Sequence, residues 1–292
     1  LASYIMDGVG SPGLIVDGYN SPHSFQLKPS HAKMLEQADI IFWIGEDLEN
    51  FLEKPLATIA KKAEKIELLE IKGIKKLKFR ERNIFEEHEG HDDHGDDAKK
   101  EEHDDHGHDA KKEEHDDHDD HDDHGHGEYD PHIWLDPINA KVILNEITEH
   151  LIENDSKNAA TYKSNLAKAI SEIDKLIIDV ITETNTDLSY VVFHDAYQYY
   201  ENRFNVNILG AMTVNPDVMP GAEQIHEIHE VIEHDNVSCI LSEPQFNPDI
   251  IKSIAKDTSV KTGVLDPLGA NLKPGKDLYF DLIRNMSASF NC

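Results

Sequence analysis

Apolar and polar positions change period several times along the chain. Short continuous apolar runs bounded by glycine or polar residues read as strands buried on both faces: GLIVDG (Gly13–Gly18), DIIFWIG (Asp39–Gly45), Ile66–Ile71 and YVVF within Ser189–Phe193. Between them lie amphipathic stretches. Leu1, Ile5 and Val9 have the spacing of the tail of a helix; a helix is expected from about Ser30, as N-cap, to Gln37, and another over Asn50–Ala63. After the compact, non-helical Tyr129–Pro137 comes a helix from Ile138 to about Glu153. Tyr162, Leu166, Ala169, Ile170, Ile173, Leu176, Ile177, Val180 and Ile181 then keep a 3–4 spacing, which predicts one long helix over Ser156–Thr184.

The second half restarts the alternation. Strands are expected at Val206–Leu209, Ser238–Leu241 and Val260–Leu265, with helices over Ala196–Phe204, Gly221–His234, Pro248–Asp257 and about Gly275–Phe290. Apolar runs alternating with helices imply parallel sheets with covering helices, so the predicted fold class is α/β, two parallel-sheet lobes joined by a long helix. The predicted division is an N-terminal lobe over 1–153, a linking helix over 154–185 and a C-terminal lobe over 186–292. Ligands of such sheets bind off the carboxyl ends of the strands, so residues just after strands are the ones to inspect.

Charge adds a different kind of segment. The chain of 292 residues has 58 Asp and Glu against 28 Lys and Arg, a formal net charge of −30, with 19 histidines. Between Glu86 and Glu128, 43 residues hold 21 acids, 4 lysines and 11 histidines, including two related twelve-residue units, DAKKEEHDDHGH and DAKKEEHDDHDD. With no large apolar side chain to offset ordering entropy, loop 86–128 within the first lobe reads as disordered. Such acidity argues against nucleic acid, whose phosphates draw affinity from Lys and Arg, and against anionic lipid. No apolar run reaches the roughly 18 residues of a membrane span, which excludes stable membrane insertion. The chain begins at Leu1 without Met or signal peptide, which reads as a removed N-terminus. Cys239 and Cys292 fit two thiols in a reducing compartment or, after export, one disulfide; in the second case the closed loop would be worth roughly 4 kcal/mol.

Outside the tract, His194 follows the YVVF strand, His132 sits in DPHIWLD, His23 in SPHSF, and Asp266 heads DPLG after the strand TGVL. Singly, each has an ordinary reading: a packed or solvated histidine, or an aspartate capping a turn. Together, two from each lobe, they offer three neutral imidazoles and an oxygen, a tetrahedral Zn²⁺ set that suits zinc better than manganese. His226 and His229 in HEIHE lack the HExxH spacing of zinc proteases and read as solvated; His31, His150 and His234 have nothing distinctive.

NSPHSFQLKPSHAKMLEQADIIFWIGEDLENFL, the acidic histidine tract, HIWLDP, VVFHDAYQYY, VNPDVMPGAEQIHEI, SEPQFNP and TGVLDPLGANLKPG occur in an order that resembles the ZnuA-type family, periplasmic zinc-binding components of bacterial ABC importers. The resemblance covers nearly the whole chain. It implies two α/β lobes bridged by one long helix with metal in the cleft, histidine ligands at His23, His132 and His194, and a Cys239–Cys292 disulfide in an oxidising periplasm. Related manganese-binding members have a glutamate where this chain has His194, which favours zinc as the transported ligand. Pro22 stands where some members have a glutamate able to ligate, so the fourth ligand is expected to be Asp266 or water. The first strand of lobe one is expected to be missing from this chain.

The implied function is capture of Zn²⁺ in the periplasm by a monomeric, non-enzymatic carrier. Delivery would be to an inner-membrane permease driven by a cytoplasmic ATPase. Auxiliary metal binding is expected at His103, His106, His108, His115, His118, His121, His124 and His126, whose neighbouring acids concentrate cations. Two alternatives come from other classes. One is a zinc hydrolase with an open water position and Glu243 as its base. The other is a zinc buffer acting through the tract alone, which deletion of Glu86–Glu128 would expose by removing nearly all binding.

Overall fold

The structure is a computed structural model that describes residues 1–85, 127–216, 218–258 and 260–292. The first half contains α1 (Ala2–Ile5), α2 (Pro29–Gln37), β1 (Ile40–Trp43), α3 (Glu46–Thr58) and β2 (Glu64–Glu67). The middle contributes α4 (Pro137–Asn154) and α5 (Ala159–Glu183). The second half follows with β3 (Ser189–His194), α6 (Gln198–Phe204), β4 (Asn207–Thr213), α7 (Ala222–His234), β5 (Cys239–Ser242), α8 (Asp249–Thr258), β6 (Lys261–Val264) and α9 (Leu278–Ser289). Strands β1 and β2 pair in parallel, and β4-β3-β5-β6 form a second, wholly parallel sheet. The α/β class with two parallel sheets and a long helix between them is as expected.

Strand β3 explains itself from its sequence. All six of its residues are buried, and successive side chains go to opposite faces. Tyr190 and Val192 join the large core beneath α5 and α9, while Val191 and Phe193 join a smaller core with Ile228, Ile232, Ile251 and Ile254 of α7 and α8. Helix α5 carries the same large core from one sheet to the other: Tyr162, Ala169, Ile173, Leu176 and Val180 are buried, and the helix packs on α1, α4 and α9. Polar Asn165 lies in this stripe because its amide donates to the carbonyls of Ile5 and Asp7 at 2.9 and 2.8 Å, tying down the end of α1. Ile181, placed on the apolar face by its spacing, is 57% exposed. A disulfide joins Cys239 of β5 to Cys292 beyond α9.

Several expectations shift. Strand β2 lies at Glu64–Glu67 rather than Ile66–Ile71, because only those residues pair with β1. Gly13–Gly18 is not a strand. Its apolar run has the right length, but Ile15 packs with the α2–α3 core, and Gly18 lies on the backbone of Gly269 and Ala270, where a Cβ would come within 2.8 Å. Helix α2 starts at Pro29, not after Ser30, since proline needs no N–H donor in the first turn. Helix α3 starts four residues early, at Glu46, and is interrupted at Glu49 (φ −120°, ψ 45°).

Glu49 folds back to accept the Ile44 backbone N–H at 2.6 Å, and burial pushes its carboxyl up to about 7 against the hydrogen bonds from Ile44 and Gly45. A carboxyl raised in the folded state binds its proton more tightly there than in the unfolded chain, so this contribution to stability falls as pH rises from about 4.5 to 7. Glu49→Gln is expected to flatten that part of the profile, by roughly 1–3 kcal/mol. Urea unfolding at pH 5 and pH 8 measures it, and an unchanged pH slope would contradict the assignment.

Candidate metal centre

The segment between β2 and α4 is built to hold one imidazole still. Asp130 Oδ1 accepts both the backbone N–H of His132 at 2.9 Å and its ring Nδ1–H at 2.7 Å. The next residues form a single 3-10 turn, Ile133–Leu135, fixed by Trp134 Nε1 donating to the Pro267 carbonyl at 3.0 Å and by Tyr279 Oη donating to the Trp134 carbonyl at 3.0 Å. Asp136 then caps α4, accepting the Ile138 N–H and a bidentate pair from Arg203 at 2.7 and 2.8 Å. With Nδ1 protonated toward Asp130, the neutral ring turns its Nε2 lone pair inward.

His194 arrives from the other half, as the last residue of β3 at the carboxyl edge of the parallel sheet. Its Nδ1 faces the Glu243 carboxylate at 3.3 Å, and its Nε2 is buried with no hydrogen bond. His23 comes from the irregular loop before α2, its backbone N–H donating to Ser21 Oγ at 3.3 Å. The three rings converge, with centroids 5.0 to 5.5 Å apart and one ligand atom from each within 4.8 Å of the others. His23 Nε2 and His132 Nε2 are 3.4 Å apart. Two nitrogens bound at 2.0–2.1 Å on one tetrahedral ion would be about 3.4 Å apart. Three imidazoles with carboxylates behind two of them can therefore receive a single borderline divalent cation.

Burial sets the electrostatics. It pushes the Asp130 carboxyl up to about 7, against the pull of the His132 N–H, His194 and Arg80. His132 is held well below the usual histidine range by burial and by His194, so its neutral form dominates. At His194 burial also disfavours the imidazolium, but the Glu243 carboxylate outweighs it and the pKa is raised.

The structure does not bring Asp266 into this group. Its Oδ1 accepts the N–H groups of Leu268 and Gly269 and the Gln245 amide at 2.9–3.0 Å, and its Oδ2 accepts Ala270 N–H at 2.6 Å. These bonds close the DPLGA turn, as the turn-capping reading expects, and Oδ2 accepts a single one of them. Gln245 also donates to the Gly18 carbonyl at 2.6 Å, joining the loop that precedes His23 to this turn. His226 is solvated on α7, 3.6 Å from Glu230. The tract histidines from His103 to His126 lie outside the described residues. Sequence reasoning missed Asp130, although a carboxylate two residues before a histidine is within reach of its ring. The sequence offers Glu243 only as a candidate base. It ends up behind His194 because β5 neighbours β3 in the sheet.

A family model described as ZnuA, zinc-uptake complex component A, periplasmic, matches residues 1–291. The chain belongs to the ZnuA family. The high-affinity zinc uptake system protein ZnuA of Brucella abortus strain 2308 is 46% identical over 294 residues, covering 99% of this chain and 86% of the relative. The ZnuA of Yersinia pestis is 34% identical over 297 residues, with the same coverage of both. Among solved structures, a crystal structure of ZnuA superposes with a TM-score of 0.71 at 20% identity, covering 98% of this chain and 94% of the other. A mutant laminin-binding adhesin of Streptococcus agalactiae gives 0.74 at 21% identity, covering 99% and 94%. At those identities the structural neighbours speak for the ZnuA-type two-lobe fold alone.

Proposed function

We infer that His23, His132 and His194 hold one Zn²⁺ between the lobes, with water in the fourth position. As a ZnuA family member the chain is the zinc-binding component of a zinc-uptake system, not an enzyme. The observation that carries the ligand assignment is the convergence of three imidazole nitrogens, one pair at 3.4 Å, with Asp130 and Glu243 orienting two of the rings. Rings pre-set in the metal-binding tautomer lose little freedom on loading, which favours tight capture of scarce ion. Glu243 faces a ring nitrogen, which fits an orienting role better than that of a base. The carrier works in the periplasm as a monomer and hands its ion to a membrane permease coupled to an ATPase. Among the described residues no helix is long and apolar enough to cross a membrane.

Calorimetric titration with Zn²⁺ in the presence of competing Mn²⁺ tests the reading. One tight zinc site that Mn²⁺ does not displace is expected, because three nitrogens and no protein carboxylate in contact with the ion disfavour manganese. Displacement by Mn²⁺ at equal concentration would overturn it. Affinity should also fall as pH drops from about 7.5 to 5. Protons compete for ligand nitrogens, and His194, raised above the reference of about 6.5, meets that competition first. A pH-independent affinity over that interval would contradict a three-histidine site.

A further inference from the structure

A second group of ligand atoms lies on α4 and β2. Glu64, His150 and Glu153 each present one, all within 4.8 Å of one another. The group is separate from the three-histidine centre, since His150 is about 20 Å along α4 from the capping Asp136. Its imidazole has a carboxylate behind one nitrogen, as those of His132 and His194 have. Glu146, one turn earlier on α4, faces Nε2 at 3.2 Å, while Nδ1 is buried, makes no hydrogen bond and lies 3.0 Å from Glu64 Oε1. Phe42 of β1 packs edge-on against the ring at 6.3 Å, which restricts its rotation.

The position suits a cation. Helix α4 has 18 residues and ends at Asn154, so His150 and Glu153 lie near or within its last turn, where unpaired carbonyls and the helix dipole favour positive charge. Three carboxylates surround one imidazole, and Glu64 remains 46% exposed, so a hydrated ion can reach the group. The competing description is an ion pair of a protonated ring with Glu64 and Glu146. In it Nδ1 and Nε2 each face one carboxylate, at 3.0 and 3.2 Å.

We propose that Glu64, His150 and Glu153 form a second, weaker divalent-cation site, with one nitrogen and two carboxylate oxygens suited to Zn²⁺, and with Glu146 positioning the ring. Three ligands and an open, hydrated face make it a site that fills after the three-histidine centre.

Histidine-ring ¹⁵N spectra of the full chain test the proposal, because they separate each ring from all others; His150→Gln assigns the signal. With Zn²⁺ as the only added metal, His150 Nδ1 is expected to take the shift of a metal-bound nitrogen at a free concentration below about 1 mM, after the His23, His132 and His194 signals have changed. Glu64→Gln with Glu153→Gln should raise the half-saturating concentration at His150 by at least about 10-fold and leave the other three rings unaltered. Both substitutions are on exposed side chains, so folding is retained. A Nδ1 signal that never moves, or that moves equally in the double variant, would leave only an ion pair and overturn the proposal. Either result is independent of whether the three-histidine centre behaves as described.

Discussion

His194→Ala is expected to release zinc to a chelator that Asp266→Ala withstands, with a fall in affinity of more than about 100-fold. The size follows from what each side chain touches. His194 offers a buried Nε2 with no other partner, turned to the centre by Glu243 on its Nδ1. Its loss leaves two imidazoles and deprives the buried Glu243 carboxylate of its imidazole partner, which is costly in its own right. Asp266 has its four acceptor contacts within the second half, to Leu268, Gly269, Ala270 and Gln245. Its removal loosens that turn and the Gln245 link to Gly18, an effect on stability and on the fit of the cleft. Groups that support a ligand without binding the metal typically cost 10–100-fold. The chelator should be strong enough to strip the acidic tract, so that only the tight site is read. Faster release from Asp266→Ala than from His194→Ala would restore Asp266 as a direct ligand.

Arg80→Ala is expected to destabilise the protein by about 3–5 kcal/mol near pH 8 and by clearly less near pH 5. Arg80 reaches from the segment after β2 to two buried carboxylates: Asp195 at 2.9 Å and Glu201, as a fork, at 3.0 and 2.7 Å. Its guanidinium also lies over the Phe85 ring at 3.8 Å. Even with this partner, burial pushes the Glu201 carboxyl up to about 7. Without Arg80 nothing comparable opposes burial, and the value rises further. The folded state then binds a proton that the unfolded chain gives up near pH 4.5, so stability falls as pH rises through that interval. The variant is therefore least penalised in acid, where Glu201 is neutral. Arg80→Lys should recover only part of the loss, because an ammonium cannot reproduce the fork. Urea unfolding at both pH values decides it. A penalty that is the same at pH 5 and pH 8 would mean that Glu201 is not the group left exposed to the loss.

The residues of the centre and the groups behind them differ in how far they could be read. His23, His132 and His194 were identifiable because two follow predicted strands or the loops beside them and one lies in a proline-bracketed segment, and because the surrounding motifs resemble a family. What holds the rings was not identifiable. Glu243 is 49 residues from His194, and only the pairing of β5 with β3 puts it on the ring. The Glu64–His150 contact joins residues 86 apart through the packing of α4 on the first sheet, so His150 looked like an ordinary helix histidine.

Chain periodicity by itself determined the α/β alternation, the long α5 and the burial of β3, because these depend on local propensity and on which faces are apolar. It could not distinguish a strand from an irregular segment at Gly13–Gly18. A three-residue apolar run meets both descriptions until a neighbouring strand is present to hydrogen-bond it, and here the run packs Ile15 beside α2 and α3 while Gly18 lies on the Gly269–Ala270 backbone. Nor could it decide whether Asp266 would ligate or cap. A carboxylate after a strand can do either, and only the folded DPLGA turn brings three backbone N–H groups and the Gln245 amide onto its oxygens.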